Sequence, residues 1–483
     1  MSQPLSFIKD PAFRVDVLSR EDIEQIHAAT LEVIESVGVK FPLPEALDIL
    51  AANGASIDRD TCIARIPAAV VEDALKSAPS TYTLAARDPE RDLPLDGSHV
   101  FLGTDGCGVQ VLDAFTGELR TSSKKDVSDC ARVADALGEI GFWWAMVSAQ
   151  DCPPESRGLH ELEAAWNVTT KHLQTESLLH PGEMEIAVEM AAAIAGGRDE
   201  LRSRPLLSIM QCTVSPLAHD PGSLEAGLIA ARAGLPVGYM TMASCASTGP
   251  ATSAGNLVVG NAEVIAALAL IQMSSPGAPV FYAAAQTAMD LRTGAYTGGG
   301  PEDFLFGAAT NQLADFYHVP LSMGAFATGA KQPDWQAGVE NSFSSFLACV
   351  SGADMLLGAG LLHGSRILSY EQLVMDCEIY SMVRHMLQGV RITPETLALD
   401  EIHAVGPGGT FLPRKHTRTH MRELWLPELL DRRTYDEWVE KKDGAREWAG
   451  EKAWDILKNH PGEPLDPKQA DELKRIITSY EKK

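Results

Sequence analysis

Six polar residues stand where apolar ones are the rule. Asp105, Gln174, Glu176, Gln211, Gln286 and His363 each lie in, or directly after, a short strand-like apolar run. A buried polar side chain needs partners, so Gln174, Gln211 and Gln286 either touch a ligand or belong to a hydrogen-bond network beneath one. His363, a lone imidazole beside Gly364, reads as a ligand contact. Lys331 could form a Schiff base, as in an aldolase-like lyase, but Gln332-Pro333-Asp334 after it reads as a solvated loop and a helix N-cap. Cys212 and Cys245 lie on neighbouring runs, yet zinc needs three or four converging ligands and no third soft one is evident, so no metal is expected. The run Gly298-Gly299-Gly300 lacks the lysine and spacing of a phosphate loop and reads as a flexible rim open to a bulky partner.

The elements that must hold these residues repeat. An apolar run followed by an amphipathic helix recurs eight times between Val100 and Ile392, which is what a closed (β/α)8 barrel requires. The runs are Val100–Asp105, Phe142–Ala149, His172–Leu178, Leu206–Val214, Pro236–Ser244, Pro279–Thr287, Pro320–Thr328 and Met355–Leu362. Asp220-Pro221 marks a helix start, and Gly234 its stop. Ser369 and Gln372 have capping-box spacing, with Gly389 closing that helix. Gly196-Gly197 ends the helical pattern of Ile186, Met190 and Ile194. The expected fold is α/β, a TIM barrel over residues 99–392. A helical region precedes it over 1–98, with helices at Arg20–Val37, Leu43–Asn53 and Pro67–Ser77. A helical extension over 393–483, carrying Trp425, Trp438, Trp448 and Trp454, is expected to pack on the barrel. Sites in such barrels lie at the carboxyl ends of the strands.

Charge narrows the partners. The 483 residues carry 65 acidic and 40 basic side chains, a net charge of −25, which opposes binding to nucleic acid phosphates. The basic cluster Arg414 to Arg422 reads as a loop packed on the barrel. Met1–Arg14 lacks the apolar core of a signal peptide, and Asn256, Asn261 and Glu263 interrupt the apolar stretch Ala254–Met273, so no membrane span is expected. Eight cysteines without CxxC spacing read as free thiols in a reducing cytoplasm.

Local patterns then become specific. Ser215-Pro216-Leu217, Thr248-Gly249-Pro250-Ala251-Thr252-Ser253-Ala254-Gly255, Asn261-Ala262-Glu263, Met289-Asp290-Leu291-Arg292-Thr293-Gly294, Gly300-Pro301-Glu302 and Lys331-Gln332-Pro333-Asp334-Trp335 are joined by Gly408-Gly409-Thr410-Phe411-Leu412, His416-Thr417 and His420. Together they resemble the trimethylamine methyltransferase family, which includes glycine betaine and other quaternary-amine methyltransferases.

The resemblance implies an enzyme of methanogenesis-type one-carbon metabolism that moves a methyl group from a methylated amine to the Co(I) of a separate corrinoid protein. No cofactor would then be bound to this chain. The trimethylamine branch carries pyrrolysine, whereas every position here is a standard residue. A quaternary ammonium substrate is favoured, glycine betaine by default, because its methyl is already activated by a fixed charge. Such chemistry asks for positioning and exclusion of water, not a catalytic triad. The implied trimethylammonium cage would draw on Tyr239, Tyr282 and Phe326, with Tyr296 and Trp335 in loops; of Trp143 and Trp144, alternation turns one inward. His363 would meet a betaine carboxylate, with Gln286 or backbone N–H groups of the glycine-rich loops as the next choice. A homo-oligomer is expected. A non-catalytic betaine-binding protein or a Schiff-base lyase remains the alternative.

Overall fold

Parallel pairing runs from β1 (His99–Thr104) through β2 (Ile140–Trp144), β3 (His172–Thr175), β4 (Leu207–Cys212), β5 (Val237–Thr241), β6 (Val280–Ala284) and β7 (Leu321–Gly324) to β8 (Met355–Ala359). β8 then returns to β1, Met355 opposite Phe101 and Ala359 opposite Thr104, so the barrel closes. The computed structural model describes residues 3–296 and 298–482; Met1, Ser2, Thr297 and Lys483, which belong to the expected terminal regions and the sixth loop, lie outside the described residues. The helices that follow the strands in turn are α1 (Lys124–Ala136), α2 (Arg157–Trp166), α3 (Glu183–Ala195), α4 (Pro221–Ala233), α5 (Ser253–Ser274), α6 (Pro301–Tyr317), α7 (Trp335–Ser351) and α8 (Tyr370–Met386). This is the (β/α)8 architecture expected from the repeat.

The punctuation acts as its chemistry dictates. Asp220 caps α4 by accepting from the Gly222 and Ser223 N–H groups, and Gly234 ends it in the left-handed region at φ +85°. Ser369 accepts from the Gln372 N–H at the start of α8. Strands stop sooner than the apolar runs do, because the sheet ends where the loops of the mouth begin: β3 at Thr175, β6 at Ala284, β7 at Gly324.

Side chains alternate between two cores. Phe101, Phe142, Trp144, Met210, Met240, Phe281, Met355 and Leu357 fill the barrel, plugged at its amino end by Leu84, Leu93 and Leu95. Trp143, Leu173, Ile209, Tyr239, Tyr282 and Leu356 face the helices in a larger cluster. Among the described residues one helix, α5, is long and apolar enough to span a membrane, and it is largely buried inside the fold.

The expected N-terminal helices occur at Arg20–Ser36, Pro44–Ala52 and Ala68–Leu75, with a small antiparallel sheet between them that the sequence reading did not foresee. At the other end the helix Ala445–Asn459, with Trp448 and Trp454, packs on α8, while Trp425 lies outside any helix. The Arg414–Arg422 cluster is not packed on the barrel as expected: its two short helices, Lys415–His420 and Met421–Glu423, bury no residue.

Candidate active site

The barrel interior is shaped, from its amino end up to the mouth, by aromatic rings and the glycines that admit them. A Cβ at Gly103 would lie 2.3 Å from the Phe142 ring, one at Gly238 2.0 Å from Phe281, and one at Gly106 2.1 Å from Trp144. Each inward ring thus lies flat over a neighbouring stretch of bare backbone. Thr104 locks the last pair, its hydroxyl donating to the Trp144 carbonyl at 2.8 Å and accepting from the Trp144 N–H at 2.8 Å.

Two carboxyl groups share this mouth. Asp105, just past β1, accepts from the Ser365 hydroxyl and from the Gly106 N–H at 2.9 Å. Burial pushes it up to about 6. Glu176, just past β3, accepts from the Cys212 thiol at 3.5 Å and from the Cys107 thiol. Burial, then the neighbouring Asp105 and Glu161 charges, push Glu176 up to about 7. Burial and Glu176 raise both thiols well above the ordinary range, so they stay protonated as donors. Tyr296, from the loop after β6, completes the ring: burial raises its phenol, as do the nearby Asp303, Asp105 and Cys212. The loops after β1, β3, β4, β6 and β8 together bring Asp105, Cys107, Glu176, Cys212, Tyr296 and Ser365 to one pit at the mouth.

The rim carries the opposite charge. His363 sits at φ +58°, its N–H bonded to the Ala330 carbonyl at 2.8 Å. Burial and the neighbouring Lys331 and Arg366 lower its pKa. Lys331 itself is exposed and donates to the Gly329 carbonyl. A Cβ at Gly364 would be 3.3 Å from the Tyr296 ring, which brings this rim against the acidic pit.

Of the residues singled out from sequence, Asp105, Glu176 and His363 meet at the mouth. Gln174 lies beneath, accepting from Ser208, which in turn bonds His172 at 2.9 Å. The other six turn away. Trp143 faces α1 and Trp144 takes the inward place. Tyr239 donates to the Ser223 carbonyl on α4 at 3.4 Å, and Gln211, paired with it in register, shares its outward side. Tyr282 lies in the same interlayer cluster, alternating with inward Phe281 and Ala283. Gln286 donates to the Asn256 carbonyl on α5 at 2.7 Å, and Phe326 is buried against the helix layer past the end of β7. The reason is parity: period-two alternation leaves open which set faces inward, and it lapses where a strand ends.

Sequence reasoning also missed how the loops are held. A carboxylate from the surrounding helices reaches the mouth loops again and again. Glu161 on α2 accepts from Ser148 (3.0 Å), the Ala149 N–H (3.0 Å) and Ser177 (2.7 Å). Glu263 on α5 accepts from Thr213 (2.5 Å), Ser215 (2.9 Å), the Leu217 N–H (2.9 Å) and Thr241 (3.0 Å). Glu340 on α7 holds Thr328 and Gly329, and Asp376 on α8 holds the Gly360 N–H at 2.9 Å. The signal was present: Glu263 interrupts the most apolar stretch of the chain, where an unpartnered acid would be costly.

Comparison with known proteins follows the same line. Residues 1–483 match the family described as trimethylamine methyltransferase (MTTB). The trimethylamine methyltransferase MttB of Desulfitobacterium hafniense (strain DSM 10664 / DCB-2) is 37% identical over 466 residues, covering 96% of this chain and 93% of the relative. A glycine betaine methyltransferase of Desulfitobacterium hafniense (strain Y51) is 33% identical over 467 residues, covering 96% of this chain and 97% of the relative. Among solved structures, the hydroxylamine MtmB complex superposes with a TM-score of 0.54 at 11% identity, covering 93% of this chain and 89% of that one, a likeness of fold.

Proposed function

Because the chain belongs to the trimethylamine methyltransferase family, we propose that it demethylates a quaternary amine, glycine betaine by default, for the benefit of a separate corrinoid protein. The observation that carries this reading is the paired Asp105 and Glu176 beneath Trp144 and Tyr296. Asp105 is buried and Glu176 half-buried, and among the described residues neither has a basic partner in contact, so both are costly as anions; a bound cation removes that cost. Trp144 adds a ring face for the cationic head. Among the described residues no three histidine, cysteine or acidic side chains converge as metal ligands would.

The chain's own work is then positioning. Asp105 and Glu176 draw the ammonium head into the pit, where the rings exclude water from the reacting methyl. His363, with Lys331 and Arg366 beside it, takes the carboxylate at the rim. The amine leaves neutral, so no side chain must donate a proton to it. The Co(I) of the corrinoid, carried by its own protein, supplies the nucleophile. Room for that partner is supported by the exposed rim, where Leu291 is 77% and Trp335 81% accessible.

The test is to mix the protein with glycine betaine, carnitine, choline, tetramethylammonium or trimethylamine, with and without reduced cobalamin. Demethylated amine is then followed by mass spectrometry. Release that needs both a quaternary amine and cobalamin supports the proposal. Saturable binding without turnover would favour a betaine-binding protein, and cobalamin-independent release would remove the corrinoid from the scheme.

A further inference from the structure

From Gln388 to Glu428 not one residue is buried, yet the segment is fully shaped. It leaves the end of α8, runs out through helices Pro394–Leu397 and Leu399–Val405, turns at Gly406-Pro407-Gly408-Gly409 and comes back through Lys415–His420. The two legs are braced across: Arg391 meets Glu423 at 3.5 Å, His420 meets Glu395 at 3.6 Å and Arg414 meets Glu401 at 2.5 Å. On its return Trp425 donates to Ser381 at 3.2 Å and the Leu429 N–H to Glu378 at 3.1 Å, both on α8. The result is an arm anchored at both ends to one helix.

Such an arm is not self-supporting. Its helices have 4, 7 and 6 residues, well below the dozen or so at which an isolated helix becomes even marginal in water. Its outer faces are apolar: Val390, Ile392, Leu399, Leu412, Leu424 and Leu426 are 58 to 86% exposed. With Leu397, Ile402, Phe411 and Met421 they offer on the order of 1,000 Å² of surface, more than the roughly 800 Å² each partner contributes to a standard interface.

We infer that this arm docks on a second copy of the same chain, each copy embracing the other across a two-fold axis. Three observations choose that occupant. A helix of this barrel runs opposite to its strands, so the end of α8 lies at the amino face, away from the mouth that a methyl-accepting partner must reach. The exposed aliphatic residues are those of a permanent interface, and short helices of this kind need a partner that never leaves. The arm carries five basic residues against five acidic ones, in a chain with 40 against 65, and its Arg414–Arg422 leg holds four basic residues and no acidic one, so that leg suits the acidic body of another copy.

Sedimentation velocity on the full chain tests this. The wild-type protein should be dimeric, or a higher assembly built of dimers, from about 50 µM down to about 1 µM. Joint substitution Ile402→Glu and Leu412→Glu changes only exposed positions, so folding and amine binding should persist while dimer dissociation rises by about 100-fold or more. Arg414→Glu with Arg418→Glu should weaken it by about tenfold and reduce its salt dependence. Hydrogen exchange gives a second readout: amides of 394–423 should be protected in the dimer and exchange freely on dilution. A monomer at about 50 µM, or an assembly indifferent to all four substitutions with 394–423 unprotected, would overturn the inference.

Discussion

Replacing Glu176 by Gln should flatten the pH dependence of cation binding. With Glu176 pushed up to about 7, roughly one molecule in eleven carries its charge at pH 6 and ten in eleven at pH 8. A quaternary ammonium ion and a proton compete for that carboxylate, so affinity should rise about tenfold across the interval as the proton is lost. Asp105, at about 6, adds about a factor of two over the same range. The wild-type protein should therefore bind tetramethylammonium or glycine betaine roughly 20-fold more tightly at pH 8 than at pH 6, and Glu176→Gln only about twofold more tightly. At pH 8 the variant also forfeits the attraction itself, about 3 kcal/mol for charges some 5 Å apart at an effective dielectric near 20, or roughly 100-fold in affinity. Isothermal titration in two buffers of different ionisation heat measures both quantities and counts the proton released, about half of one at pH 7. Affinity that stays level from pH 6 to 8, or a slope that survives in Glu176→Gln, would refute the assignment of Glu176 as a cation ligand.

The buried acids make a further statement about the empty protein. Glu176, Asp303 and Asp376 are held at about 7 and Glu183 at about 8, chiefly by burial. A carboxyl whose folded value is raised costs the fold stability as pH climbs from its unfolded value, about 4, to that raised value, above which its contribution is level. Lys171, lowered to about 7, opposes this as a single group. The ligand-free melting temperature should thus fall between about pH 5 and 7.5 and level off above that, with saturating amine restoring part of it; a melting temperature that rises over the same interval would contradict the reading. Glu263→Ala leaves three hydroxyls and one N–H without their acceptor and should cost about 2–4 kcal/mol in urea denaturation, Glu263→Gln about half that; a loss below about 0.5 kcal/mol would mean that solvent replaces the clamp. Gly106→Ala drives a methyl into the Trp144 ring and should weaken cation binding at least about tenfold with a shift in tryptophan fluorescence, whereas Gly338→Ala, on α7 with open space around its Cβ, serves as the neutral comparison. His363→Ala should weaken glycine betaine about tenfold and choline hardly at all; equal losses would assign the imidazole to loop support.

The barrel was legible because its signals are local and repeated. Asp220-Pro221 and Gly234 bound α4 by hydrogen bonds their own neighbours supply, and eight apolar runs of the right spacing leave little choice of architecture. Strand ends were legible as places, which is why Asp105, Glu176 and His363 were expected at the mouth, past the ends of β1, β3 and β8 where the structure puts them. Side-chain direction was not. Trp143 and Trp144 are equivalent to any pattern of hydrophobicity, whereas in the fold Gly106, in the loop after β1, makes room for the Trp144 ring by its missing side chain. Tyr282 and Tyr239 look like ligands for a cation by type alone; their neighbours on α4 and α5 claim them for packing. The arm of residues 388–428 escaped for a different reason. Its charges and tryptophans resemble those of a segment folded back on its own barrel, and its separation from that barrel appears only in three dimensions.

The carboxylates that reach the mouth from the outer ring give the barrel an inheritance rule. Several mouth loops are gripped from behind by a carboxylate on a helix of the outer ring, so each such loop's shape is written in two distant stretches of chain at once. Glu263 sits 46 residues from the Leu217 amide it holds, and Glu161 lies between the two loops it joins. A loop transplanted alone into a sister barrel would arrive without its grip and settle elsewhere, however faithful its residues. Specificity in this scaffold should therefore travel as strand, loop and helix together, and drift in substrate preference should begin in the outer layer.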